Sequence, residues 1–326
     1  MSPPKAPASS HLFGLLMAGA GVLAFSLTFP ATQKAMAVFT AWQVGIGRAV
    51  VAAALAGLCL FLFKAKLPPR EQMLPVALVG LGVVAGYPIF TALALEYVSS
   101  SHAAVVTGLL PLATAAFGRL LGNERPGALF WWASAAGAAV ILAFTLRHGI
   151  SGFGIADLLL IGSLVAGGLG YAEGGKASKA MPGWQVISWG LVFSLPLTVP
   201  VTAVALIASP PQLDGAGAGA LIGFGYVAVF SMFLGFCAWY PGLARVGVTR
   251  GSQMQLLQPL LTVGWAALLL GESADAWTLA AAVLVLACVG LAQWARLSAP
   301  AAAARTAAAA PAAPAAPAAP VPAGRA

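Results

Sequence analysis

Four polar residues recur on one face of an otherwise apolar stretch. Gln255, Gln258, Thr262 and Trp265 are spaced by three and four, the period of a helix. An amide or hydroxyl removed from water without a partner is costly, so this face must look at a cavity or at another helix. Thr107 and Thr114 stand 148 residues before Gln255 and Thr262 and repeat the stripe. Interhelical hydrogen bonding and contact with a passing solute are both open readings; the repetition favours a solute pathway. Tyr87, Trp239 and Tyr240 add aromatic surface, suited to core packing or to lining a cavity with an amphipathic ring.

Two charged residues belong to the same discussion. Arg48 falls about eight residues into an apolar run, where its cost is about 2.5–3.5 kcal/mol at mid-helix unless the side chain snorkels to the boundary. Anchoring by snorkelling is the simpler reading and anion binding the sharper one. Glu173 ends an apolar run in Tyr171-Ala172-Glu173-Gly174-Gly175-Lys176. It could carry a proton or hold an amine, but pairing with Lys176 or Lys179 at the boundary is simpler. Pro111 and Pro259 lie inside apolar runs, where each removes a helix hydrogen bond and frees a carbonyl. Pro30 and the Gly174-Gly175 pair are expected to break two further helices at matching positions, a sequence pointer to a transport site.

Other chemistries find no support. The sequence contains no HExxH, GxSxG, P-loop or GxGxxG motif. His11, His102 and His148 are far apart, and Cys59, Cys237 and Cys288 lie singly in apolar runs without a CxxC. No metal, cofactor or disulfide framework is expected.

The elements that must position these residues follow from composition. Of 326 residues, 60% are hydrophobic and 7% charged, against about 25% charged in ordinary soluble domains. With mean hydropathy +0.93, the chain reads as an all-α polytopic membrane protein. Runs of about 20 apolar residues predict ten transmembrane helices near 12–30, 40–63, 73–95, 103–121, 128–146, 154–173, 184–207, 217–241, 251–270 and 276–296. Residues 1–11 form a short N-terminal tail. The segment 297–326 holds 17 Ala and 6 Pro and is expected to be a disordered extension, not an eleventh span.

The net charge of +8 would suggest nucleic acid in a soluble protein. Here its distribution gives another meaning. With ten spans, Lys5, Lys64, Lys66, Arg70, Arg119, Arg125, Lys176, Lys179, Arg245, Arg250, Arg296, Arg305 and Arg325 share one side, and only Lys34 and Arg147 the other. That asymmetry predicts both termini in the cytoplasm. No nucleic-acid partner is expected; the partners are the lipid bilayer and a small molecule, and no oligomeric state is read from the sequence.

The chain also repeats itself. Leu109-Leu110-Pro111-Leu112-Ala113-Thr114 returns 148 residues later as Leu257-Gln258-Pro259-Leu260-Leu261-Thr262, and Glu124 returns as Glu272. Lys34-Ala35-Met36 and Trp42-Gln43-Val44 return as Lys179-Ala180-Met181 and Trp184-Gln185-Val186. Two five-helix units, 12–146 and 153–296, are predicted. Five is odd, so the second unit enters the membrane inverted.

These residues resemble the drug/metabolite transporter superfamily with two EamA-type repeats, over about 12–296. The most specific part is Pro–x–x–Thr followed by Leu-Leu and Glu, at Pro111, Thr114 and Glu124 and again at Pro259, Thr262 and Glu272. Arg48 and Ala-Leu-Glu-Tyr-Val at 94–98 add to it, although Gly190 stands near the counterpart of Arg48. The resemblance implies a secondary transporter of the bacterial-type inner membrane, exporting or exchanging a small organic solute by alternating access. A membrane-bound sensor or assembly subunit without transport activity is the alternative; the short loops disfavour it.

Overall fold

The computed structural model describes residues 8–121, 127–146, 154–212, 217–246 and 254–309. No strand occurs among them. Seven helices are long and apolar enough to cross a bilayer: α1 (Leu12–Ala35), α2 (Ala41–Leu62), α3 (Arg70–Ala94), α4 (Ser100–Leu121), α6 (Ile155–Ala177), α7 (Gly183–Ala208) and α8 (Gly217–Gly242). Three have shorter apolar stretches: α5 (Ala128–Phe144), α9 (Gln255–Leu270) and α10 (Ala276–Ala309), which is apolar over Ala276–Ala292.

Helix starts follow local side-chain chemistry. Thr40 and Gln43 close a capping box at α2, with Gln43 N–H donating to Thr40 Oγ1 at 3.3 Å and Thr40 N–H to Gln43 Oε1 at 3.0 Å. Ser99 caps α4 through His102 N–H, and Asp275 caps α10 through Thr278 N–H at 2.8 Å. The end of α9 uses Gly271 at φ +68°, a left-handed conformation that suits glycine. It turns the chain so that Glu272 points back across the molecule.

Several helices are interrupted, and the interruptions come in pairs. α3 contains a π-helical segment, Gly80–Gly86, and α8 another, Tyr226–Leu234; adding the repeat offset of 148 to the first gives 228–234. α4 is broken at Gly108-Leu109 and resumes at Leu110, while α9 begins with one 3₁₀ turn over Gln255–Leu257 and becomes α-helical at Gln258. Pro111 and Pro259 each occupy the second residue of the resumed helix, so they start helical pieces and do not bend continuous ones.

The two halves pack as if exchanged by a two-fold axis. α1 packs on α8 as α6 packs on α3; α2 meets α7, α4 meets α9, and α5 meets α10. The α2–α7 and α4–α9 pairs run antiparallel. At one end of the α2–α7 pair, Gln43 Nε2 donates to the carbonyls of Ala205 (3.0 Å) and Ser209 (2.6 Å); at the other, Phe63 and Trp184 rings lie 5.7 Å apart. Close approaches need small residues: a Cβ on Gly80 would fall 2.7 Å from the Gly190 carbonyl oxygen.

Three expectations are corrected here. Helix α1 does not end at Pro30: a turn at Leu27 precedes it and the chain stays helical to Ala35. Gly174 and Gly175 break nothing, since α6 runs through them to Ala177; Gly174 is a packing residue, where a Cβ would lie 2.4 Å from Tyr240 Oη. The last helix passes 296 and continues to Ala309. Its Ala-rich stretch at 301–309 favours helix, and the Pro-every-third pattern starts only at Pro311. Glu124, Arg125, Arg147, His148, Arg250 and the 310–326 part of the tail lie outside the described residues.

Candidate functional site

Two small cavities lie where the halves meet, and Gln258 lines both. The first, about 20 Å³, is bordered by Phe29, Thr107, Pro111, Gln255, Pro259 and Thr262 among others. The second, about 30 Å³, is bordered by Phe25, Thr28, Arg48, Tyr87, Tyr171, Ser231, Met232 and Phe236 among others. Each has room for a water molecule and far less than a metabolite pocket of about 300 Å³ or more. This conformation is therefore closed around the centre.

The repeat builds these walls. The breaks before Pro111 and Pro259 bring the matching positions Thr107 and Gln255 to the first cavity. Neither proline can donate to the carbonyl four residues earlier, which belongs to Thr107 and Gln255 respectively. The π segments supply Val83 and Ser231, again equivalent positions, to the second cavity. Inserted π turns re-aim side chains and recur at functional positions. The Thr28 and Ser231 hydroxyls share a hydrogen bond of 2.7 Å across the two halves.

The polar stripe of α9 divides in two. Gln255 is buried and faces the Tyr171 hydroxyl, and Gln258 separates the cavities. Thr262 instead donates to the Ser26 carbonyl at 2.8 Å, and Trp265 Nε1 donates to Ser26 Oγ at 3.1 Å. Pro30 cannot supply the amide that would normally bond the Ser26 carbonyl, so Thr262 takes that place. Thr114, the partner of Thr262, bonds its own helix at Leu110 (2.9 Å) and lines neither cavity. Position 175 carries glycine, not proline, in the second half.

Arg48 does not snorkel. It is 2% exposed, and its Nε and Nη1 have no hydrogen-bond partner. Tyr87 lies beside it, and Tyr87 also faces Thr107. The cost of a charge at this depth is thus not relieved by a carboxylate. Its repeat counterpart, Gly190, has no room for such a side chain, since α3 passes at Val79 and Gly80.

Other candidates fall outside the cavities. Glu173 is 4% exposed, with Lys176 Nζ at 3.9 Å and itself largely in the open. Trp239 and Tyr240 are buried in the core formed with Phe25, Phe236 and Ile187. Pro30, Gly174 and Gly175 likewise line neither cavity.

One polar cluster carries no obvious sequence signal. Glu272 accepts from Ser100 N–H (2.9 Å), Ser101 N–H (3.0 Å) and Ser101 Oγ (2.7 Å). It thereby caps the first turn of α4 from the opposite half. Ser100 Oγ also bonds Gln33 Oε1 on α1, and His102 Nε2 lies 3.1 Å from Asp157 Oδ1 on α6. The start of α4 is thus held by α1, α6 and the α9–α10 turn. Only the repetition of Glu124 as Glu272 pointed here, and it named no partner.

Comparison with known proteins agrees with this architecture. The chain is 43% identical over 274 residues to the uncharacterized transporter YdeK of Bacillus subtilis (strain 168), covering 84% of this chain and 94% of that one. A protein crystal structure 20% identical in sequence matches with a TM-score of 0.58, over 88% of this chain and 97% of its own; it speaks for the fold alone. The EamA-like transporter family matches twice, at residues 12–146 and 154–292. With two such matches and apolar helices throughout, this is a multi-pass membrane protein belonging to the EamA-like transporter family.

Proposed function

We propose that the chain is a secondary transporter of the bacterial cell membrane, exporting or exchanging a small organic solute by alternating access. Ten helices cross the bilayer as two inverted five-helix repeats, with both termini cytoplasmic. The carrying observation is the pair of closed, polar-lined cavities assembled from equivalent positions of two antiparallel halves. Inverted repeats around a midplane site are the architecture by which one half rocks against the other.

Contacts between helix ends support the crossing pattern. The end of α1 (Gln33), the start of α4 (Ser100), the start of α6 (Asp157) and the end of α9 (Glu272) form one cluster. Ten successive crossings put those four ends on the same side. The start of α2 (Gln43) meets the end of α7 (Ser209), again as alternation requires. The distribution of basic residues supports reading that side as the one away from the cytoplasm.

The test is reconstitution of the purified protein in liposomes with labelled amino acids, organic carboxylates, cations and sugars, with and without a pH gradient. Saturable flux of one solute class is expected. Silence across the panel, in a preparation that is folded and correctly inserted, would favour a sensor or assembly subunit. Impermeant labelling of single cysteines at Ser209 and Lys64 checks the orientation, with only the first reactive from outside.

A further inference from the structure

The buried guanidinium of Arg48 is the feature that transport in general does not explain. Nε and Nη1 are without partners at 2% exposure, and the side chain borders the second cavity. Among the described residues no acid pairs with it, and none lines either cavity. The rest of the second cavity offers the linked Thr28 and Ser231 hydroxyls, the Gln258 amide and apolar walls from Phe25, Met232 and Phe236.

From this we infer that Arg48 is the binding group for a carboxylate, and that the transported solute is an organic monocarboxylate with an apolar body. This deepens the transport reading above and rests on it for the word transported. A planar carboxylate matches the guanidinium fork in two parallel hydrogen bonds. One cation in an otherwise neutral cavity balances one negative charge; a phosphate dianion would leave an excess charge in a low-dielectric site. A zwitterion would bring an ammonium group with no carboxylate to meet it. The apolar walls take the body of the acid, and the hydroxyl pair has a proton to donate to its second oxygen. The cavity, about 30 Å³ as it stands, must widen to admit such a molecule, so binding belongs to an opened conformation.

The experiment uses the purified full-length protein in detergent, with melting temperature as readout. Four probes share one skeleton: 3-phenylpropanoate, 3-phenylpropanamide, 3-phenylpropylamine and phenylalanine. Saturable stabilisation by the carboxylate is expected, with the amide and the amine at least tenfold weaker and the zwitterion also weaker. Arg48→Gln should lower carboxylate affinity about 10- to 100-fold while melting no earlier than the parent, because it removes an unpaired buried charge. Arg48→Lys should retain part of the binding. Equal stabilisation by carboxylate and amide, no response to the carboxylate, or unchanged affinity in a folded Arg48→Gln protein would overturn the inference. If Arg48→Gln does not fold, the four-probe comparison on the parent protein decides alone. Flux of the same probes into liposomes separates the two claims. Arg48-dependent binding without flux leaves this inference standing and removes transport; flux of the amine or amide without carboxylate binding does the reverse.

Discussion

Glu272→Gln tests whether the cap on α4 holds the closed conformation. The carboxylate accepts three hydrogen bonds, at 2.7, 2.9 and 3.0 Å, from the first turn of α4. Glutamine keeps one acceptor oxygen and presents an NH₂ group to a donor where the other oxygen was. It also removes a negative charge from a helix N-terminus. Loss of a cap costs about 1 kcal/mol, and loss of the charge at the helix end about 0.3–1 kcal/mol more. A buried donor facing a donor adds to both, for about 2 kcal/mol in total. Because this clamp joins the two halves, the cost falls on the conformation in which the clamp is closed. An open state in minor population would then rise about 30-fold. Phe29 lines the first cavity and is 3% exposed, so Phe29→Cys in a background without Cys59, Cys237 and Cys288 reports on opening. Its reaction with a membrane-impermeant maleimide in intact cells should accelerate about 30-fold in Glu272→Gln. Asp275→Asn, which weakens the cap of α10 itself, should lower thermal stability without comparable acceleration. An unchanged maleimide rate in Glu272→Gln would refute the reasoning.

Three more outcomes follow from the packing and the cavities. Gly174→Ala places a methyl group 2.4 Å from Tyr240 Oη and should cost about 1–3 kcal/mol; Tyr240→Phe should recover most of it, read as the melting temperature in detergent. Thr262→Val should cost about 1–2 kcal/mol by unpairing the Ser26 carbonyl. In a Pro30→Ala background the restored amide can bond that carbonyl, and the same substitution should cost measurably less in a double-mutant cycle. Gln255→Leu and Gln258→Leu should impair flux at least tenfold with normal expression and elution; full flux in both would make these amides packing groups.

Helices and their duplication were legible because lipid imposes length and because Pro111/Pro259 and Thr114/Thr262 repeat at one offset. The first cavity was legible for the same reason: Thr107, Gln255, Gln258 and Thr262 stand out as polar residues in apolar runs. What composition hides is the partner of each group. Thr262 and Gln255 look alike in a sequence, yet one fills the place left by Pro30 and the other faces Tyr171. Ser26, Thr28 and Ser231 are small and unremarkable in sequence, and gain meaning only when the halves meet. The π segments leave no periodic signature, since a single inserted residue shifts a helix face without changing its apolar character. Gly174-Gly175 misled for a related reason: glycine permits a break, but here it admits the Tyr240 side chain within a continuous helix.

The contrast between Arg48 and Gly190 bears on the energetics of the proposed cycle. Two identical halves exchanging conformations would have inward-facing and outward-facing states of equal intrinsic energy. This protein has a cation on one half and a backbone crossing at the matching place on the other. In the proposed cycle exchange would carry Arg48 through unlike surroundings, and the two end states would not be degenerate. The empty carrier of that cycle would favour one side, and an anion that neutralises Arg48 would shift the balance between the sides.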